Sequence, residues 1–433
     1  MSAFAKRERY GRRRFLGRLA GIVAAGAVAP SLLSAKGGTK GSKPDEAAPL
    51  VDSPPVLQRP TESGIVVTWA VGRMATGYVE YGERSDRLDR TAWGDRHGLK
   101  PCHERFLQIR IDGLKPNTRY WYRTVTCSFD YHDAYHFERG EPVYSEVFAF
   151  ETSGPNRAEG SFSVINDTHN HQPTLKRLTE RLALVGADYT VWNGDLVNSF
   201  DNADMAVEAV LRPGGAAFAA RKPMLFVPGN HDYRGRWARN IPLLLPEWEH
   251  PAEEDRPFGR NFVVRSGPLA LIGLDTGEDK PDRHPAWASL ARFEPWRAAQ
   301  RDWLERALKS PAVATAPFAV AFCHIPLHWN DPNGNGGDLT TGYASFQRQA
   351  ANLWGPLLTR HGVQALIAAH NHKFRYDPAT SDRSWAQIIG GGYGQTDELT
   401  AIHGRAVGDA MEIAVDELNT GTELGRWRFP KRN

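Results

Sequence analysis

Between about residues 54 and 152 apolar and polar positions alternate with a period of two. The runs 64–71, 77–81, 105–111, 119–125 and 146–152 share this texture and are separated by Gly, Pro, Asn and Asp clusters. In the first run, Ile65, Val67, Trp69 and Val71 fall on one face and Val66, Thr68 and Ala70 on the other. Short strands at this spacing predict an all-β sandwich over 54–152. After the Ser-Gly-Pro-Asn-Arg stretch at 153–157 the pattern changes. Short, wholly apolar runs now alternate with stripes of helical period: Leu175, Leu178, Leu182, Leu184 and Val185, then Trp296, Ala299, Trp303, Leu304, Ala307 and Leu308. Core packing accounts for these apolar residues. Alternating β and α units predict an α/β layered domain over 158–430, of αββα four-layer type. No internal repeat is visible.

Composition narrows the class. A chain of 433 residues with 41% hydrophobic and 24% charged residues is neither disordered nor fibrous. The formal charge of +3 is unevenly placed, because residues 1–35 hold seven basic side chains and one acidic one. The rest of the chain is therefore mildly acidic, which argues against stable nucleic-acid binding. Arg12-Arg13-Arg14-Phe15-Leu16 precedes a weakly apolar stretch and a small-residue exit at Ser34-Ala35. This resembles a twin-arginine (Tat) signal over 1–35, which implies the Tat translocase as a partner and a periplasmic or secreted destination. Residues 36–53 are expected to form a flexible tether, and no membrane span is expected in the mature chain. Of three cysteines, Cys102 and Cys127 could either pair or remain free thiols, and Cys323 is expected in the core. The segment 114–120 (Leu-Lys-Pro-Asn-Thr-Arg-Tyr) resembles the turn and tyrosine that enter a late strand of fibronectin-type-III-like domains.

The specific signal lies where apolar runs end. The run 161–165 leads into Asn166-Asp167-Thr168-His169, 189–192 into Asn193-Gly194-Asp195, and 224–227 into Pro228-Gly229-Asn230-His231-Asp232. Two further runs, 318–323 and 363–369, lead into His324 and into His370-Asn371-His372. Each run has the length of a buried strand, and open α/β sheets build their sites just beyond such strand ends. Any one cluster is weak evidence, but five in this order are not. Carboxylates and imidazoles suit Fe, Zn and Mn. Gly194 and Gly229 would let the backbone approach a ligand closely.

The set resembles the calcineurin-like metallophosphoesterase superfamily over about 160–395, and the domain order is similar to that of purple acid phosphatases. The resemblance implies two metal ions. Asp167, His169 and His372 would hold the first, Asn230, His324 and His370 the second, and Asp195 would bridge them. His231 would protonate the leaving oxygen, and Asp232 would orient and charge that imidazole. A metal-bridging hydroxide would attack in line. Asn198 stands where purple acid phosphatases carry a tyrosine, and His169 is a histidine they lack, so the purple colour is not expected. Ala369 replaces the usual glycine before the His-x-His pair.

Weaker candidates surround this set. His328 and Trp329 could line the pocket or pack as a loop pair. His171 reads better as a loop histidine than as support for the site, and Asp275 could be a support or a turn residue. The segment 331–342 suggests a lid. Gly390 to Gly394 reads as a tight turn after a strand. The leading function is an exported phosphohydrolase acting on small-molecule phosphomonoesters. The alternatives are a phosphodiesterase on nucleotide or lipid-headgroup diesters, and a non-catalytic binding protein on the same scaffold. No Gly-x-Ser-x-Gly or His-Glu-x-x-His occurs, so serine-hydrolase and zincin chemistry have no support.

Overall fold

The computed structural model describes residues 48–215, 217–328, 343–395 and 397–432. The expected export segment, the tether up to residue 47, Trp329 and the 331–342 loop lie outside them. No helix among the described residues is long and apolar enough to cross a membrane.

The alternating segment folds as two facing sheets. Val56–Gln58, Gly64–Ala70 and Phe106–Asp112 pair antiparallel in one. Phe148–Glu151, Arg119–Asp133, Ala75–Gly82 and Arg90–Ala92 lie side by side in the other. Leu57, Ile65, Val67, Trp69, Ile109, Tyr122 and Phe150 pack between them. The buried Tyr120 hydroxyl accepts the Lys115 N–H at 3.0 Å, fixing the turn ahead of the long strand.

Gly64–Ala70 is buried along its whole length, which two-sided alternation does not anticipate. The cause is tertiary. Gln58 pairs in parallel with Met224, so the first sheet of the sandwich continues into the α/β region as one nine-stranded sheet. Ala70, Val56 and Phe106 then join a core with Ala206, Val207 and Val210 of the helix Ala203–Leu211. Val51 bridges Val71, so the end of the expected tether is tied down.

In the α/β region Glu159–Ile165, Tyr189–Asn193 and Met224–Val227 are parallel neighbours. A second sheet runs Phe262–Ser266, Leu269–Gly273, Phe318–Phe322, Ala365–Ala368, Ala386–Ile389, Arg375–Asp377. The two sheets meet across Phe162, Val191, Leu225, Leu271, Val320 and Ile367. Helices Gln172–Val185 and Ala203–Leu211 pack on the first sheet, and Phe293–Lys309 and Tyr343–Arg360 on the second. The order of layers is α, β, β, α.

The helical stripes need trimming. In Gln172–Val185, a proline in the first turn and left-handed Gly186 at the C-cap set the limits. Leu175, Leu178 and Leu182 are buried, but Leu184 is 80% exposed. Leu184 lies nine residues beyond Leu175, about half a turn out of phase at 100° per residue. Val185 and Ala299 are likewise outside the core. The cysteines are all free. Cys102 and Cys127 pair with Thr76 from opposite sides. That puts them roughly 9.5 Å apart in backbone spacing, beyond the ~7 Å that a disulfide spans.

Candidate metal centre

Three parallel strands of the first sheet and two of the second lead into the site, and every predicted ligand stands in the loop just beyond one of them. The chain must reverse sharply there to aim side chains inward. Asp167, His169, Asp195, His370 and His372 all take positive φ, at 50°, 46°, 53°, 74° and 53°. Such geometry costs on the order of 1 kcal/mol or more per residue unless the surroundings enforce it. Here they do. The His370 N–H donates to both Asp167 carboxylate oxygens at 3.0 and 3.1 Å. The His169 N–H donates to the Asp195 carbonyl at 3.0 Å, and the His231 N–H to Asp195 Oδ1 at 2.9 Å.

Glycines make room. A Cβ on Gly194 would lie 2.3 Å from His324 Nδ1, and one on Gly229 would lie 2.2 Å from Asp195 Oδ1. Gly391 has the same role: its φ is 124°, and a Cβ there would sit 1.9 Å from Asp167 Oδ2.

The ligand atoms fall into overlapping clusters. Those of Asp167, His169 and His372 lie within 4.8 Å of one another, as do those of Asp195, His324 and His370. A third cluster, His169, Asp195 and His231, joins the two. His324 Nε2 stands 3.2 Å from Asp195 Oδ2 and 3.8 Å from Asp167 Oδ1. Asn230 Oδ1 lies 2.9 Å from His370 Nδ1.

This donor set fits divalent cations. His324 donates through Nδ1 to the Asn193 carbonyl at 2.9 Å, which aims its buried Nε2 at the Asp195 and Asp167 carboxylates. His372 Nδ1 is held by Asp397 Oδ2 at 3.0 Å, which turns Nε2 toward Asp167. His169 Nε2 and His372 Nε2 face each other at 3.3 Å, close enough for one ring to donate to the other or for both lone pairs to share a cation. The charges are strongly coupled. Burial would raise the Asp195 carboxyl, but the imidazoles of His324, His231 and His370 hold it below the usual carboxylate range. Burial would lower His324, yet Asp195 and Asp167 push it up to about 10. Burial and the His324 charge push His370 down to about 4.

Asp232 departs from its expected role. Its carboxylate makes no ion pair with His231. Instead it accepts the N–H groups of Asp195, Leu196 and Gly229 at 3.0, 3.0 and 2.8 Å. It therefore ties the Asp195 and Asn230 loops together. His231 is oriented by the Asn198 carbonyl, 2.9 Å from Nδ1. Arg234 Nη1 reaches His231 Nε2 at 3.0 Å, and its own position is fixed by Glu278 at 2.6 Å and Asp279 at 3.0 Å.

The weaker candidates also find places. Buried Asp275 accepts from the Tyr233 hydroxyl and from the Gly277 N–H, bracing the loop that carries Asn230. His171 Nδ1 bonds Thr174 at the start of its helix. The His328 backbone is held by Gln387. Gly390 to Gly394 follows a sixth strand end as expected, but it also walls the site: the Tyr393 ring is 4.9 Å from that of His169. Tyr393, Gly391, Asp397 and Arg234 escape a reading of ligand types. The position of the glycine run after a strand of the same sheet was the available signal.

Comparison with known proteins agrees with this geometry. The calcineurin-like phosphoesterase family matches residues 161–374, and the purple acid phosphatase N-terminal domain family matches 55–152. An acid phosphatase of Aspergillus ficuum is 30% identical over 134 residues, covering 27% of this chain. The chain spans about a fifth of the length of that relative, 20%. The purple acid phosphatase isolated from yellow lupin (Lupinus luteus) seeds superposes with a TM-score of 0.58 at 15% identity, over 87% of this chain and 74% of the other.

Proposed function

Because the chain carries a calcineurin-like phosphoesterase domain behind a purple acid phosphatase N-terminal domain, we propose that it is a metal-dependent phosphomonoester hydrolase with a dinuclear centre. The observation that carries this reading is the meeting of Asp167, His169, His372, Asp195, His324 and His370 in overlapping clusters. Asp167, His169 and His372 would hold one ion, and Asn230, His324 and His370 the other, with Asp195 between them. Two such ions of the Fe, Zn or Mn class supply Lewis acidity to phosphoryl oxygens and make bound water acidic at neutral pH.

The chain's own residues do the rest. Arg234, held by two carboxylates, presents a guanidinium to an anionic phosphoryl group. With the Asn198 carbonyl accepting from His231 Nδ1, Nε2 would protonate a leaving oxygen once Arg234 turns from that nitrogen to the phosphoryl group. A cavity of about 880 Å³ is lined by Arg234 together with Tyr233, Lys280, Trp287, Phe293 and Trp296 among others. It offers an apolar seat with cationic flanks to the organic part of the ester. The twin-arginine segment supports export in the folded, metal-loaded state.

Elemental analysis of the purified protein, paired with aryl phosphate and aryl phosphodiester substrates, tests the reading. Two ions per chain are expected, with faster turnover of the monoester. Chelation should abolish that turnover and metal return should restore it. Faster diester turnover would move the assignment to a phosphodiesterase. An Asp195→Ala protein that still held two ions would overturn the bridging role.

A further inference from the structure

A second group of ligand-type side chains lies away from the strand-end loops. The strand Arg119–Asp133 continues past the sandwich core and returns through His136–Arg139 as an exposed hairpin. Pairing runs Asp130↔Glu138, Tyr131↔Phe137 and Asp133↔His136, with a bulge between Tyr131 and Asp133. His132 is the extra residue of that bulge. Side chains alternate along a strand, so His136 and Glu138 share a face, opposite to that of Phe137. The bulge turns His132 onto the same face as His136 and Glu138. The result is compact: the His132 and His136 rings are 4.6 Å apart, and His136 Nε2 is 3.5 Å from Glu138 Oε1. Ligand atoms of all three lie within 4.8 Å of one another.

The register adds an electrostatic argument. Asp130 is the partner of Glu138 across the strands. Two like charges directly opposite destabilise a hairpin, and a cation seated between the imidazoles and Glu138 relieves that repulsion. The geometry points to a surface site for a borderline divalent ion such as Zn²⁺, Ni²⁺ or Cu²⁺, held by His132, His136 and Glu138 with one position left to water. It is separate in sequence and in sheet from the centre described above.

Zn²⁺ titration of the full chain, after its tightly held ions have been counted, tests this. Wild type should bind one equivalent more than His136→Ala and one more than Glu138→Gln, with aryl phosphate turnover unchanged in both variants. All three residues are exposed, so neither change removes core packing. Equal stoichiometry in all three proteins would sink the proposal and leave the strand-end centre untouched. Loss of turnover in a variant that keeps the extra equivalent would also overturn it.

Discussion

His231 shows how one side chain takes its role from its neighbours. Its backbone is anchored to Asp195 and its ring to the Asn198 carbonyl, so in the proposed arrangement truncation removes a proton donor and leaves the proposed ligands in place. His231→Ala should keep full metal content by elemental analysis and lose ~10²–10⁴ in kcat, the usual worth of a positioned proton donor. Unchanged turnover would remove that role. Gly391 tests the opposite case, a residue with no chemistry of its own. Its positive φ and the closeness of the Asp167 carboxylate leave no room for a methyl. Gly391→Ala should displace Asp167 and lower occupancy of the first metal position, with the far-UV circular dichroism unchanged. Full occupancy would show that the loop yields.

At the scale of elements, the β-alternation, the helical stripes and the five strand-end clusters were all legible in the sequence. Their limits were less so, because Leu184 and Ala299 fit the periodicity loosely and face solvent. The role of Asp232 was not legible either: a carboxylate next to His231 in sequence turns away to gather three N–H groups from two loops. The turn before Arg119–Asp133 offers an element-scale test. Tyr120→Phe strips the acceptor from the Lys115 N–H and should cost ~1–2 kcal/mol. Thermal unfolding should shift down by a few degrees while kcat stays constant, and an unshifted midpoint would show the hydrogen bond to be dispensable.

In the whole molecule, the continuous nine-stranded sheet changes what counts as a unit. Val56–Gln58 covers the edge of Met224–Val227, and Tyr122 donates to the Ala220 carbonyl across the same boundary at 2.7 Å. A chain starting at residue 158 would bare that strand edge and part of the core around Ala206 and Val210, an invitation to edge-to-edge association. It should aggregate on size-exclusion chromatography, whereas the full chain should unfold in a single calorimetric transition. A soluble, active fragment would show the two regions to be independent.

The sequence by itself determined the class of each layer and put candidate ligand types at the strand ends, because strand length, periodicity and donor chemistry are local properties that residue types encode directly. Only the tertiary structure decided which loops meet, that Gly391, Tyr393, Asp397 and Arg234 complete the site, and that the sandwich shares a sheet with the α/β region. Those outcomes depend on contacts between residues tens to hundreds of positions apart, and no local pattern of hydrophobic and polar positions records them.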